Sequence, residues 1–453
     1  MRVAIIGGGL AGISAACELL QAGHEVELIE AQHSLGGVFS AERDADGDWL
    51  ERKLYRFSRA DRSLVALLER TGLSDRIRWS NRDLAFALPG GRLKHVPFPN
   101  LPANLGALSA ILANELFHPL DRLKSIIGLS SAWLGSEHYR ASCDDRSYAQ
   151  WHADHRIPKH VLDDCFDPIA RTLTGLTAAQ VSARAMLELF HSLSVDSQSA
   201  GLGLLDGVSE ERLFAPLAAY LTAHNCRLRL GERAQALQID QHGLRAVRLE
   251  SGQLLQADGF VLALQPPELL ALLPAQLHGA SPFAQIGQLK MLPSMLVQLW
   301  FDRYVHYGER LFFSSHVPFC QFGDLALCAP HSFDRHNGSL VALEIAPVQA
   351  WWDQDDAAIV KEVLSDLRRF WPGVRSAQLR KSAVVRTAQS RFADLPNSYR
   401  LRPKAATPFA NLVLAGDWLA VEGLTLWERA AHSGRIAAQT LLQAMQSCAT
   451  LKR

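Results

Sequence analysis

The chain lacks the features that mark polyanion-binding proteins and covalently cross-linked domains. Its 46 basic residues are balanced by 46 acidic residues, which argues against a nucleic-acid partner. The seven cysteines form no Cys-x-x-Cys pair and leave an odd member, so neither a disulfide framework nor a zinc site is indicated. This cysteine usage favours a reducing cytoplasm, and we predict no metal site.

Long apolar runs are also lacking. No segment reaches the roughly 18 to 20 uninterrupted apolar residues that a membrane-spanning helix requires, because polar and charged residues interrupt the richest stretch, 101–134. The apolar run 3–17 mimics a signal peptide, but it fits a nucleotide-binding unit better, so we reject that interpretation. With 453 residues, of which 48% are hydrophobic, the chain is long enough for two or three interwoven domains.

The first thirty residues are typical of a βαβ unit. A strand is predicted over 2–6, a helix over 13–22 and a second strand over 25–29. Gly7-Gly8-Gly9-Leu10-Ala11-Gly12 between the first strand and the helix is a G-x-G-x-x-G motif. In such a motif Gly7 permits a tight turn, Gly9 lets the backbone approach a pyrophosphate, and Gly12 permits close packing of helix on strand. The helix N-terminus then stabilises the phosphate charge.

Two further features make this unit more specific. Glu30 ends the second strand, where a carboxylate can accept hydrogen bonds from a ribose diol and would repel a 2′-phosphate. Ala31 opens a loop that contains the paired glycine Gly36-Gly37, followed by Val38. Paired glycines allow the backbone to pass close to a bulky planar cofactor, which a plain nicotinamide dehydrogenase does not need.

The remaining chain returns to this unit twice. Short strands are predicted over 227–273, in a meander that rejoins the first sheet. A buried strand over 411–415 ends in Gly416-Asp417, and 424–445 has helical periodicity. Between these parts, 97–194 is mostly helical and apolar, and 291–371 mixes strands with helix. Both segments look inserted, so we expect them to form the substrate-binding layers.

These motifs together resemble the flavin amine oxidase and phytoene desaturase superfamily, in particular its plant-type carotene desaturases. The likeness extends to Leu204-Leu-Asp-Gly207, to Trp300-Phe-Asp-Arg303, and to Leu414-Ala-Gly-Asp-Trp418 followed by Glu428-x-Ala-x-x-Ser-Gly434. The resemblance implies an α/β fold of the GR2 flavoprotein type: a Rossmann-like FAD-binding domain interwoven with an α+β substrate-binding domain. It divides the chain into a discontinuous FAD-binding domain (1–90, 195–280 and 375–453) and substrate-binding, membrane-contacting regions (91–194 and 281–374).

The resemblance also assigns residues to the cofactor. The final helix would point its first N–H groups at the flavin pyrimidine edge, and Gly416-Asp417 would lie beside the ribityl and pyrophosphate groups. Trp418 and Trp427 are interpreted either as core residues or as flavin contacts. The predicted FAD-binding residues are Gly7, Gly9, Leu10, Ala11, Gly12, Glu30, Ala31, Gly36, Gly37, Val38, Ala234, Gly416, Asp417, Leu424 and Trp427.

The chain also departs from these families. Amine oxidases place an aromatic residue two positions before the final Glu, where this chain has Leu426, and a lysine on the strand that here covers 294–300, where none is present. Where desaturases have Gly and His near the flavin, this chain has a basic segment, 51–56. Within it, Lys53 and Tyr55 are the candidate catalytic residues, as hydrogen-bond donors or in proton transfer.

The resemblance implies desaturation of a hydrophobic, isoprenoid- or carotenoid-like substrate, with hydride transfer to N5 of FAD. A membrane quinone is the expected electron acceptor, with peripheral contact at the inner face of the membrane through 97–134. The same resemblance leaves other functions open: a hydroxysqualene dehydroxylase-like or amine-oxidising enzyme, a redox-neutral polyene isomerase that uses reduced FAD, and a non-enzymatic FAD-binding scaffold.

Overall fold

The computed structural model describes residues 1–79, 83–97, 103–195, 201–241, 243–333, 337–423 and 425–451. The strands of these residues are β1 Arg2–Ile6, β2 Glu25–Glu30, β3 Glu42–Arg43, β4 Trp49–Leu50, β5 Phe57–Ser58, β6 Ile77–Trp79, β7 Asp83–Leu88, β8 Arg92–Pro97, β9 Leu202–Leu205, β10 Arg227–Leu230, β11 Ala234–Asp240, β12 Gly243–Leu249, β13 Leu254–Leu255, β14 Gly259–Leu262, β15 Met291–Phe301, β16 Phe312–Phe313, β17 Phe319–Asp324, β18 Leu340–Ile345, β19 Leu379–Phe392 and β20 Leu412–Leu414.

The helices connect and cover these strands. They are α1 Leu10–Gln21, α2 Arg62–Thr71, α3 Ala103–Leu112, α4 Pro119–Leu134, α5 Glu137–Ser142, α6 Tyr148–Asp154, α7 Lys159–Val161, α8 Asp167–Thr174, α9 Ala183–Val195, α10 Ala215–Ala223, α11 Pro266–Leu272, α12 Phe283–Ile286, α13 Leu325–Cys328, α14 Pro330–Phe333, α15 Asp356–Phe370 and α16 Leu426–Leu451. No helix in the described part of the chain combines the length and the apolarity needed to cross a membrane.

The first sheet is parallel and has the strand order β10-β2-β1-β14-β20. Helices cover this sheet, and its central strands are accordingly near-continuous apolar runs. Helices α1, α10 and α16 pack against it, and α1 also packs closely on α16. At that crossing a Cβ on Gly434 would lie 2.1 Å from the carbonyl oxygen of Ala11, so only glycine fits there. The predicted βαβ unit is confirmed as β1, α1 and β2.

The second sheet has seven strands in the order β19-β15-β18-β17-β16-β7-β8. β15 pairs antiparallel with both β18 and β19, and α15 packs on β19. Because β7, β8 and β19 belong to this sheet, residues 83–97 and 379–392 lie outside the first sheet. The domain boundaries at 90 and 375 stay a prediction, although these two segments pair within the second sheet. The 227–273 meander also divides, since β10 and β14 join the first sheet whereas β11, β12 and β13 form a sheet of their own.

Residues 103–195 are mostly helical, as the composition of 97–194 predicts. Helices α3 to α9 cover most of 103–195 and enclose their own apolar core, which includes Phe117, Trp151, Phe166 and Met186. Phe86 of β7 and Phe313 of β16 also belong to this core. The helical layer is therefore packed onto the second sheet, on the side where β7 and β16 pair.

Candidate cofactor and substrate site

Gly7 and Gly12, at the turn between β1 and α1, are both required by the packing of the protein itself. A Cβ on Gly7, whose φ is +108°, would lie 2.3 Å from the carbonyl oxygen of Ala263. A Cβ on Gly12 would lie 2.0 Å from the carbonyl oxygen of Gly7. The turn is therefore held tightly against the end of β14, with Leu10 and Ala11 buried in the first turn of α1.

Gly9 differs from these two glycines. Its φ of −70° and ψ of 174° suit any residue, and a Cβ at this position would meet no protein atom within 4 Å. Neither backbone strain nor packing therefore explains a glycine here. Gly9 also occupies the N-cap position of α1 without a side-chain capping bond, so the space in front of this helix N-terminus is free for an anionic group.

Glu30 lies beside the same turn. One carboxylate oxygen accepts a hydrogen bond from the N–H of Gly8 at 2.7 Å, and the other accepts from the N–H of Gln32 at 2.8 Å. The carbonyl of Glu30 also accepts from the N–H of Glu232, which brings the start of β11 at Ala234 to this end of the sheet. Ala31 follows Glu30 and is half-buried. The carboxylate is thus fixed at the end of β2.

The paired glycines lie directly on the glycine turn. The N–H of Gly36 donates to the carbonyl of Gly8 at 2.9 Å, and Gly36 has a φ of +118°. A Cβ on Gly37 would approach the Cα of Gly9 to 3.4 Å. The half-buried Val38 continues this segment. The structure therefore brings together the predicted residues of the glycine turn, of the end of β2 and of the 36–38 segment.

The C-terminal motif approaches through β20. The N–H of Gly416 donates to Ser433 Oγ at 2.9 Å, which joins the end of β20 to α16. Asp417 is buried, its Oδ2 has no hydrogen-bond partner among the described residues, and burial raises the pKa of its carboxyl. Trp418 is fully buried and donates its indole N–H to the carbonyl of Leu264, which is the arrangement of a core residue. Leu424 lies outside the described residues.

Trp427 belongs to an aromatic cluster. Its ring stacks on Phe39 with 3.9 Å between centroids and 14° between planes, and Tyr55 meets it edge-on at 5.0 Å. Phe57 and Phe214 are the other members, and Tyr55 donates its hydroxyl to the carbonyl of Phe39 at 2.8 Å. Sequence reasoning missed Phe39, Phe57 and Phe214. The one signal for Phe214 is the glycine at 36, since a Cβ there would lie 2.7 Å from its ring.

These residues would suit a dinucleotide with its pyrophosphate at Gly9 and a ribose at Glu30. The free space at Gly9 and the unpartnered carboxylate oxygen of Asp417 are the two observations that support this fit. The aromatic cluster adjoins the paired glycines, since Phe214 packs on Gly36. An apolar, ring-lined end suits the planar part of such a cofactor.

Lys53 is a charged residue in the interior of the protein. Its side chain is 3% exposed, and its Nζ has no hydrogen-bond partner within the described part of the chain. Burial, followed by the charge of Arg391, lowers its pKa to about 7, whereas Glu344 and Asp417 act in the opposite direction.

An apolar cavity of about 130 Å³ leads toward this cluster from the helical layer. Phe57 and Thr425 line it at the end near α16, and Arg56 is its one charged lining residue. The remaining lining side chains are mostly apolar and come mainly from α3, α4, α8, α9, the segments next to them and the second sheet; they include Leu84, Val96, Ala110, Ile111, Phe117, Leu129, Trp133, Phe166, Ile169, Leu173, Leu189, Phe190 and Phe313. A hydrophobic ligand fits such a lining.

The chain is similar along nearly its whole length to proteins of one family. The sequence profile described as flavin containing amine oxidoreductase matches residues 10–442. The 15-cis-phytoene desaturase of an Oncidium hybrid cultivar is 30% identical over 98% of this chain and 78% of that protein. The 15-cis-phytoene desaturase of Synechococcus elongatus is 29% identical over 98% of this chain and 96% of that protein. An oxidoreductase from Methanosarcina mazei has the same fold, with a TM-score of 0.75 at 16% identity over 98% of this chain and 100% of that chain.

Proposed function

Since the chain belongs to the flavin containing amine oxidoreductase family, we propose that this flavin-dependent oxidoreductase desaturates a hydrophobic, carotenoid-like substrate. The curated relatives are phytoene and zeta-carotene desaturases. The observation that carries the proposal is the apolar cavity, which reaches Phe57 of the aromatic cluster and Thr425 at the start of α16. One end of a long hydrocarbon chain would lie in this cavity, because about 130 Å³ accommodates only a short segment of such a chain.

The cofactor is a flavin, and we propose that it is FAD. The glycine turn, the free space at Gly9 and the carboxylate of Glu30 suit the adenosine diphosphate part of the molecule. A flavin mononucleotide has no such part, so it would leave these features without a ligand. Gly416 and Asp417 would then hold the central part of FAD, and Trp427 would contact its ring end.

A bound flavin supplies the acceptor for the two electrons that leave the substrate. The protein's own groups orient the substrate, exclude water and accept the proton. The cavity lining excludes water because it is almost entirely apolar. Lys53 lines a separate small pocket with Tyr55 and not the apolar cavity, so we propose that neutral Lys53 takes up the proton indirectly, after it has left the carbon next to the oxidised one. The hydroxyl of Tyr55 is held on the carbonyl of Phe39, and burial raises its pKa well above 10.0, so we propose a positioning role for it.

We further propose peripheral membrane contact through the outer face of the α3–α4 pair. Leu120 of α4 is 77% exposed. Clusters of exposed leucine and isoleucine side chains are uncommon on the surfaces of soluble proteins. Leu105, Leu112, Leu123, Ile127 and Leu134 are also exposed. Residues 98–102 of the expected contact segment lie outside the described residues. A membrane quinone would then be the electron acceptor, reached from the same face.

Flavin bleaching tests the proposed function. The purified, FAD-loaded protein is incubated without oxygen with phytoene, zeta-carotene, a squalene-type alcohol or a simple amine, and the oxidised flavin absorbance is followed. We expect a carotene to bleach the flavin and an added quinone to restore the colour. Bleaching by the amine alone, or polyene conversion only with pre-reduced flavin and no net electron transfer, would overturn the desaturase proposal.

A further inference from the structure

Desaturation in the apolar cavity requires a first acceptor for the proton that leaves the substrate. Lys53 does not line this cavity, so the proton must pass first to a group that does. The described lining residues with a polar group in the side chain are Arg56, Ser58, Asn114, Cys165 and Thr425. A guanidinium and an amide are not bases at neutral pH, and burial raises the pKa of the Cys165 thiol to about 12. The hydroxyl groups of Ser58 and Thr425 remain.

Both of these hydroxyl residues lie at one buried carboxyl group, that of Asp61. Asp61 is fully buried, and its Oδ2 accepts a hydrogen bond from the N–H of Ser58 at 2.9 Å. Thr425 acts on the same carboxyl, since its hydroxyl and its N–H lower the pKa of Asp61. The Oγ1 of Thr425 accepts from the N–H of Glu428 at 3.1 Å, so its own proton is available for donation. The Oδ1 of Asp61 has no hydrogen-bond partner within the described part of the chain.

Asp61 does not serve as a helix cap, although it occupies the N-cap position of α2. Aspartate is preferred at this position because its carboxylate usually accepts hydrogen bonds from the N–H groups of the first turn. The side chain of Asp61 makes no such bond, and Glu428 accepts from the N–H groups of Ser63 and Leu64 instead. Burying a carboxylate is costly, so an aspartate that does not cap its helix points to another role.

The surroundings of Asp61 favour proton uptake. Burial raises the pKa of its carboxyl from 3.8 to about 8, and the negative charge of Glu428, on α16, acts in the same direction. The hydrogen bonds from Ser58 and Thr425 oppose this rise. A group whose pKa lies close to the working pH can both accept a proton and release it again.

We propose that Asp61 receives the substrate proton through the hydroxyl group of Thr425, at the end of the apolar cavity near α16. This inference rests on the proposed function, because it assigns the first proton transfer in the same site. As the C–H bond breaks, its electron pair forms the new double bond, and the oxygen of Thr425 takes the proton while it passes its own proton to the carboxylate of Asp61. The hydride of the neighbouring carbon passes to the flavin. The later uptake of the proton by Lys53 returns Asp61 to its carboxylate form.

Infrared difference spectroscopy tests this proton acceptor without any substrate. On the flavin-loaded protein we expect the C=O stretching band of a protonated carboxyl group that disappears as the pH rises through about 8. Asp61→Asn should lack this band. Thr425→Val should shift it, because valine cannot donate a hydrogen bond to the carboxyl. The absence of any band that depends on Asp61, or a band that Thr425→Val leaves unchanged, would overturn the inference.

Flavin bleaching by a carotene tests the proton pathway. We expect Asp61→Asn and Thr425→Val to be about 100-fold slower than wild type at full flavin content. Asp61→Glu and Thr425→Ser keep a carboxylate and a hydroxyl group, so they should recover part of the rate. The wild-type rate should rise near pH 8, and this rise should persist in Lys53→Met and be lost in Asp61→Asn. Asp355→Asn is the control, because Asp355 is an exposed N-cap residue that does bond to its own helix, α15.

The two measurements separate this inference from the proposed function. If a carotene bleaches wild type and Asp61→Asn at the same rate, Asp61 is not the acceptor, and the desaturase function stands. If the infrared band depends on Asp61 and Thr425 but no carotene bleaches the wild type, the proposed substrate is wrong, whereas the buried proton acceptor is retained.

Discussion

The carboxylate of Glu428, in the first turn of α16, accepts hydrogen bonds from the backbone N–H of Ser63, in the first turn of α2, at 2.9 and 3.0 Å. It also accepts from the N–H of Leu64 at 3.0 Å. The side chain of Thr425 in turn accepts from the N–H of Glu428. The glutamate of the C-terminal motif therefore caps the N-terminus of α2.

We expect Glu428→Ala to lower the free energy of unfolding by about 2 to 3 kcal/mol, because it leaves two buried N–H groups at the positive end of α2 without an acceptor. Glu428→Gln keeps one oxygen and should lose about half as much. Urea denaturation measures both. Glu69→Ala, at the exposed end of α2, is the control. Equal stability of Glu428→Ala and wild type would contradict the capping role.

Gly9→Ala separates cofactor binding from folding. A methyl group at this position meets no protein atom within 4 Å, so we expect normal expression and unfolding temperature. The same methyl group would stand in the space assigned to the pyrophosphate, so bound FAD should fall about tenfold or more. Flavin content is measured on the purified protein after reconstitution.

Two other glycines serve as controls for that variant. Gly12→Ala would press a Cβ to 2.0 Å from the carbonyl oxygen of Gly7, so it should destabilise the fold itself. Gly279→Ala, where a Cβ also meets nothing within 4 Å, should change neither property. If Gly9→Ala retains its flavin fully, the pyrophosphate does not lie at Gly9.

Lys53 gives a pH-dependent stability with a defined sign. Burial lowers its pKa from 10.5 to about 7, so between these pH values the unfolded chain binds a proton here that the folded chain lacks. This contribution makes the folded protein more stable as the pH rises from about 7 to about 10.5. Lys53→Met should therefore be stabilised relative to wild type by on the order of a few kcal/mol at about pH 6, and much less at about pH 10. Urea denaturation at both pH values checks this, with the exposed Lys361→Met as control.

The same variant tests the proposed base. If neutral Lys53 accepts the substrate proton, the rate of flavin bleaching by a carotene should rise with pH around a midpoint near 7. Lys53→Met should be about 100-fold slower and should lose that midpoint, while it still binds flavin. An unchanged pH profile in Lys53→Met would show that the proton leaves by another route.

Ala110→Phe tests the apolar cavity. Ala110 is buried and lines the cavity, so a phenyl group there would occupy space assigned to the substrate. We expect kcat/KM for a carotene to fall about tenfold or more at unchanged flavin content, with up to about 1 to 3 kcal/mol lost from overpacking. Ala113→Phe, just beyond α3 and exposed, should leave the activity intact. Equal effects of the two substitutions would argue against substrate in this cavity.

The exposed face of α4 gives a membrane prediction. The double variant Leu123→Asp, Ile127→Asp changes two exposed side chains, so the fold should be kept. Its partition onto anionic lipid vesicles, measured by co-sedimentation, should fall about tenfold. Leu254→Asp, exposed on β13, is the control elsewhere on the surface. Undiminished vesicle binding by the double variant would place the contact on another face.

The βαβ unit at the start of the chain was predictable because its elements follow from the spacing of apolar residues and glycines within the first thirty positions. The pattern of strand, glycines, helix and strand repeats known geometry within thirty residues, so β1, α1 and β2 follow from it. The chemical role assigned to Glu30 depended only on its place at the end of β2. Similarly, the apolar and helical composition of 97–194 indicated a helical layer without reference to its partners.

The long-range pairings were decided only by the tertiary structure. Alternating apolar residues predict a strand but do not select its neighbour, so the assignment of β7 and β19 to the second sheet could not be read from the chain. The stacking of Trp427 on Phe39 joins residues that no periodicity relates. The buried ion pair of Arg429 with Asp394 likewise joins α16 to the segment that follows β19, which no local pattern predicts. Local spacing fixes backbone geometry, whereas burial and charge balance depend on every segment that packs around a residue.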